Sequence, residues 1–187
     1  MSGNRGRLFV ISAPSGAGKS TITRRIISLR PEIILSVSCT TRQPRAGEKD
    51  GVAYHFVTKE RFGEMIGQGE FLEYAEYVGE FYGTPKKPVC EWLDSGTDVL
   101  LEIEVRGARQ VMAKAPDATT IFIVPPDMQE LERRLRGRRS EPEEKLASRL
   151  AKARQELQEK EFYKHIVVND DVPRAAEEIL GIIDGAH

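Results

Sequence analysis

The chain has 187 residues, enough for one compact α/β domain with insertions, and its 28 basic and 29 acidic side chains leave a formal net charge of −1. That balance gives no global reason to bind nucleic acid or an anionic membrane, so any basic site must be local. Cys39 and Cys90 lie far apart with no C-x-x-C pair, which argues against a disulfide framework and a zinc site, and no run approaches the length of a membrane span. The opening M-S-G-N-R-G-R leads into an apolar segment too short for a secretory leader, so a soluble, unprocessed, cytoplasmic protein is expected.

In chain order, residues 8–11 are apolar without alternation, which fits a parallel strand covered on both faces, and from Thr21 the spacing turns helical until Pro31. Residues 33–38 read as a strand, followed by the polar loop C-T-T-R-Q-P-R-A-G-E-K-D-G. Residues 52–57 alternate as a strand, 59–67 form a short helix, and 71–82 read as paired strands around Gly79. The stretch 36–88 thus breaks the βα rhythm and reads as a small inserted β-rich lobe. Thr84 is placed to cap a helix with Pro85 at its first position, running to Asp94 before Gly96 stops it.

The βα rhythm then resumes, with a strand over 99–105, a helix over 106–115 and a buried strand over 119–124. Asp127 caps a helix to Arg136, a longer charged helix covers 143–161, and residues 127–160 together read as a mobile lid. Residues 165–168 form the last strand, and Asp171 caps a closing helix that ends near Gly185. The expected fold class is α/β, with a P-loop and a doubly wound, largely parallel sheet as its core, an inserted β-rich lobe and a helical lid. The expected division is a core of residues 1–35, 89–126 and 161–187, a lobe of 36–88 and a lid of 127–160.

Chemistry concentrates first in residues 13–21, A-P-S-G-A-G-K-S-T, between the first strand and the first helix. Gly16 and Gly18 allow backbone N–H groups to turn around an anion at a helix N-terminus, Lys19 would reach the β- and γ-phosphates, and Ser20 would ligate Mg²⁺. The P-loop pattern expects glycine where Ala13 stands; a Cβ is tolerated at negative φ, so Ala13 is expected to finish the strand. Ala13, Pro14, Ser15, Gly16, Ala17, Gly18, Lys19, Ser20 and Thr21 are therefore the nucleotide-binding set.

In the lobe, Arg42 and Arg45 stand three apart beside Ser38, Thr40 and Thr41, and two guanidinium forks among hydroxyls suit a phosphate monoester. Glu73 is able to accept from N1–H and the N2 amino group of guanine, a donor pair adenine does not present. Tyr54 and Tyr82 either donate to the phosphate or pack inside the lobe. Period two puts Glu102 and Glu104 on one strand face, where Lys19, Mg²⁺ or a guanine nucleotide would meet them; pairing with Arg106 or Arg109 is the plainer alternative. Among the arginines of L-E-R-R-L-R-G-R-R and the next helix, Arg134, Arg138 and Arg149 are the candidates for charge delivered to a transferring phosphoryl group, while His55 and His165 read as structural.

Taken together, A-P-S-G-A-G-K-S, S-V-S-C-T-T-R-Q-P-R-A-G-E, Y-H-F, E-F-L-E-Y, Y-G-T-P, L-E-I-E-V-R-G-A, R-R-L-R-G-R and V-V-N-D-D resemble the bacterial guanylate kinase family along nearly the whole chain. The resemblance implies ATP-dependent phosphorylation of GMP and dGMP with Mg²⁺. It implies GMP phosphate on Arg42, Arg45, Tyr54 and Tyr82, guanine near Ser38, Glu73, Thr84 and Glu104, metal at Ser20 and Glu102, catalytic Lys19, Arg134, Arg138 and Arg149, and Asn169 near adenine. Where the family pattern has Asp at 102 and 104, Gln at 106 and Gly at 139, this chain has Glu102, Glu104, Arg106 and Arg139. A ribose bisphosphate kinase and an inactive binding module of similar fold are the alternatives, and the sequence leaves the oligomeric state open.

Overall fold

The computed structural model describes residues 5–137 and 143–185. Its elements are β1 (Leu8–Ser12), α1 (Lys19–Leu29), β2 (Ile34–Leu35), β3 (Cys39–Thr40), β4 (His55–Phe56), α2 (Lys59–Gly67), β5 (Phe71–Tyr77) and β6 (Glu80–Pro85). There follow α3 (Lys86–Asp94), β7 (Val99–Glu102), α4 (Val105–Lys114), β8 (Thr119–Val124), α5 (Met128–Arg136), α6 (Glu143–Gln158), a 3₁₀ turn (Glu159–Phe162), β9 (His165–Val168) and α7 (Val172–Gly185). The chain divides into two compact units. One comprises Ile33–Leu101, Arg106–Ala118 and the described residues up to Leu8; the other comprises Phe9–Glu32, Glu102–Val105 and the described residues from Thr119.

In the second unit β1, β8 and β9 lie side by side and parallel, with Ile11 opposite Ile121 and Ile123 opposite Val167. Phe9, Val10, Ile11, Ile121, Phe122 and Ile123 have no exposed surface, as a strand covered on both faces requires. The helices α1 and α7 pack together, burying Ile22 and Ile26 of one and Ala175, Ala176, Ile179 and Ile183 of the other at helical spacing. The helices α5 and α6 share a smaller apolar cluster of Leu131, Leu135, Leu146 and Ala153, with Met128 and Leu150 against it.

In the first unit β2 and β7 pair in parallel, and a separate four-stranded sheet runs β4-β3-β6-β5. Its hairpin β5–β6 turns at Val78 and Gly79, both at positive φ (52° and 76°), the geometry of a two-residue hairpin turn. Beneath it α2 buries Phe62 and Met65 against Cys39 and Phe71, with Phe62 stacked on Phe71 at 4.4 Å between centroids. The fold class is therefore the expected one, a parallel-sheet α/β protein with a second small sheet. Among the described residues no helix is long and apolar enough to cross a membrane.

Some boundaries differ from expectation. The strand read over 33–38 forms a ladder only at Ile34–Leu35, and that over 52–57 only at His55–Phe56, with Tyr54 in an isolated bridge to Asp50. Thr84 does not cap α3: it sits in β6 opposite Glu73 and donates its hydroxyl to that carboxylate, Pro85 stays extended, and the helix begins at Lys86 with no side-chain cap. The strand read over 99–105 ends at Glu102, and α4 already begins at Val105. The alternating V-L-L-E-I-E-V carries no signal for that turn. Asp127 and Asp171 cap as expected, accepting from the N–H groups of Glu130 and Arg174.

Candidate active site

Ser12 ends β1, Ala13 follows at negative φ as its Cβ demands, and α1 begins at Lys19 with Gly18 as its N-cap. The intervening turn depends on two glycines for two reasons. Gly16 and Gly18 hold φ values of 90° and 93°, and a Cβ at either would press within 2.7 Å of Leu135 Cδ2 or 2.4 Å of Asn169 Nδ2. A helix start with converging backbone N–H groups is a phosphate cradle. Lys19 crosses it, donating to Ile103 O at 2.9 Å and Glu104 Oε1 at 3.1 Å, while the Ser20 hydroxyl donates to Glu102. Both glutamates named from the sequence therefore stand at the first turn of α1, although β7 ends before Glu104 and the same-face argument covers only part of their geometry.

Two helices close round this loop within the same unit. From α5, Arg134 donates to Asn169 O at 2.9 Å and is held by Glu130 at 2.6 Å. Two arginines on one carboxylate, Arg133 and Arg134, pull Glu130 down to about 2. Asn169 is 2 % exposed; its Nδ2 donates to Ala17 O at 2.6 Å, and its Oδ1 has no hydrogen-bond partner among the described residues. From α6, Arg149 donates to Ser15 Oγ at 3.2 Å and Glu156 accepts from Ser15 N at 3.1 Å. Arg149 and Glu156 are seven apart, on one helix face, so α6 grips Ser15 by both hydroxyl and amide.

Glu156 is a residue the sequence reading missed. Burial pushes its carboxyl up, against the opposing pull of the Ser15 N–H. In the run A-R-Q-E-L-Q-E-K-E it looks like any solvated glutamate, and its only signal was the two-turn spacing from Arg149. Arg138 lies outside the described residues.

In the other unit Arg42, Tyr54 and Tyr82 stand together. The Arg42 guanidinium lies 5.5 Å from the Tyr54 ring centroid, and the Tyr54 and Tyr82 rings meet edge-on at 5.8 Å. Arg42 forks onto Glu48 with two 3.0 Å bonds, and Arg45 adds its backbone N–H to the same carboxylate at 2.8 Å while its side chain is exposed. Glu48 is the second residue the reading missed; an acidic residue three positions after Arg45 was its signal. Ser38 leads into β3, its carbonyl taken by His55 N at 2.9 Å. A few strand positions away, Glu73 and Thr84 form a buried pair, 3 % and 0 % exposed, with Thr84 Oγ1 donating to Glu73 Oε1 at 2.6 Å.

Comparison with known proteins agrees with these features. The family model described as guanylate kinase matches residues 5–186. A guanylate kinase of Synechocystis sp. is 49% identical over 96% of this chain and 94% of its own length, and one of Streptococcus pneumoniae is 51% identical over 98% and 89%. The crystal structure of guanylate kinase from Anaplasma phagocytophilum superposes with a TM-score of 0.81 at 35% identity, covering 97% of this chain and 86% of that one. A family model that matches residues 5–186, with relatives about half identical over nearly the whole length, leads to one conclusion: this chain belongs to the guanylate kinase family.

Proposed function

We propose that this protein transfers the γ-phosphoryl group of ATP to GMP, and to dGMP, yielding ADP with GDP or dGDP, in cytoplasmic purine nucleotide recycling. The observation that carries the reading is the buried Glu73–Thr84 pair in a chain that keeps its P-loop lysine. A buried carboxylate is chemically matched to the N1–H and N2–H donors of guanine, and a site built for that pair leaves its own groups unpaired when adenine enters. Ser38, Thr84 and Glu104 complete the guanine end in this proposal. The acceptor phosphate takes Arg42, Arg45, Tyr54 and Tyr82, displacing Glu48 as the partner of Arg42.

In this proposal ATP lies on residues 13–21 and Asn169 belongs to the adenine side, its unpartnered Oδ1 supporting a role as acceptor. The Ser20 hydroxyl and the Glu102 carboxylate are hard oxygen donors already in contact. Among the described residues there is no group of three or more His, Cys, Asp or Glu side chains that would hold a metal ion. That donor set fits Mg²⁺, which takes one or two protein oxygens and completes its shell from phosphates and water. When bound, the ion would neutralise phosphate charge, with Ser20 and Glu102 as the residues that would hold it.

The acceptor oxygen is already anionic, so no strong general base is required, and catalysis is positioning with charge neutralisation by Lys19, Arg134, Arg138 and Arg149. The division into a nucleotide core, an acceptor lobe of 36–88 and a lid of 127–160 belongs to the same proposal. The test is ADP formation from ATP and Mg²⁺ with GMP, dGMP, AMP, UMP, ribose 1,5-bisphosphate or no acceptor. Turnover confined to GMP and dGMP is expected, with Lys19→Met losing roughly 10²–10³-fold or more in kcat while keeping its circular dichroism spectrum. Turnover with the sugar bisphosphate alone would replace the acceptor assignment, and turnover with none would make the chain a binding module.

A further inference from the structure

The strand β5 is the edge of its four-stranded sheet, paired on one side with β6. Its other side is covered by side chains of α4. Gln110 takes both backbone groups of Tyr74, donating from Nε2 to the carbonyl at 2.6 Å and accepting from the N–H at 3.3 Å, as a neighbouring strand would. Lys114 Nζ donates to Leu72 O at 2.6 Å. Gly107, Gln110 and Lys114 lie at helical spacing on one face, so this face of α4 is laid along residues 72–74.

Where that face passes Glu73 it has no side chain. A Cβ on Gly107 would lie 2.0 Å from Glu73 Oε2 and 2.8 Å from Glu73 Cδ, well inside van der Waals contact. Yet Glu73 is 3 % exposed and held on its other side by the Thr84 hydroxyl at 2.6 Å, so the carboxylate gives way only at the expense of that contact. Helix propensity gives no reason for glycine inside α4, where alanine would serve the helix better. Gly107 is also outside the positive-φ glycines, so backbone conformation does not demand it. The steric reading is the one that accounts for it.

We propose that Gly107 is a positioning residue for base specificity: by leaving room on α4, it sets the place of the Glu73 carboxylate and hence the discrimination of guanine from other bases. This rests on Glu73 being the guanine reader. A bidentate contact tolerates displacement of roughly half an ångström. Any side chain at 107 therefore costs base reading while leaving phosphate binding in the P-loop alone.

The experiment is steady-state kinetics of the full chain as Gly107→Ala, Glu73→Gln, Glu73→Asp and the double variant Gly107→Ala/Glu73→Asp, with GMP, IMP and AMP as acceptors. Gly107→Ala is expected to raise KM for GMP by about tenfold or more and to lower the GMP-to-AMP ratio of kcat/KM in proportion, with KM for ATP near that of the parent. The double variant, whose carboxylate is one methylene shorter, is expected to recover selectivity lost by Gly107→Ala, although Glu73→Asp alone loses it. Selectivity unchanged in Gly107→Ala but lost in Glu73→Gln would overturn the role of Gly107 and keep Glu73 as reader. Selectivity unchanged in Glu73→Gln would overturn both. Equal loss for all acceptors with a lowered melting temperature and no recovery in the double variant would mark Gly107 as merely structural and also overturn the proposal.

Discussion

Individual side chains divide by whether their chemistry needs a spacing or a neighbour. The positions of Gly16, Gly18, Lys19 and Ser20 were legible because a P-loop pattern fixes their separations along the chain, and the structure puts them in the turn leading into α1 and in its first turn. Glu156 was not legible, because its importance lies in touching Ser15, 141 positions away. Burial raises the Glu156 carboxyl above its ordinary value of 4.5, so the folded chain favours the neutral form. The linked stability is therefore complete below about pH 4.5 and is lost as pH rises through the folded value. A Glu156→Gln variant stays neutral throughout, so its melting temperature relative to the parent is expected to rise between pH 4 and pH 7. A relative melting temperature that falls over that interval would show that the ionised carboxylate is stabilising instead.

Elements were legible where a cap or a turn marks them and illegible where only apolar alternation did. The bounds of α2, β5, β8, α5 and β9 follow local signals such as Thr58, Gly79 and Asp127, with Thr58 and Asp127 each accepting from a first-turn N–H. The strands read over 33–38 and 52–57 shrank to two residues each because a ladder needs a partner strand, which sequence alternation alone does not supply. Thr84 failed as a cap for a related reason. Its hydroxyl is worth more to the structure opposite a buried carboxylate than at a helix end, since an unpaired Glu73 would be costly. In α5 the cap bears on the proposed site, because that helix carries Arg134. Asp127→Ala is expected to destabilise the protein by about 1 kcal/mol, lowering its melting temperature by about 2–4 °C, with a larger proportional loss in kcat than in ATP affinity. An unchanged melting temperature would show that the α5–α6 apolar cluster, not the cap, holds the helix.

For the whole molecule, the parallel-sheet class and the presence of a second small sheet were readable because the βα rhythm and its interruption both extend over many residues, so boundary errors of a few positions do not alter them. How Glu73 is held was not readable, because it depends on β6 and α4 meeting the same carboxylate from different stretches of chain. On the proposed function, this family member reads the guanine of GMP with a buried carboxylate and transfers a phosphoryl group from ATP to the GMP phosphate. The most direct test is the ratio of kcat/KM for GMP to that for AMP in the parent and in Glu73→Gln. The account predicts a parent ratio of about 10⁴ or more that collapses by about two orders of magnitude or more in the variant, with KM for ATP preserved. A parent that uses AMP as well as GMP, or a variant that keeps the parent's ratio, would contradict it.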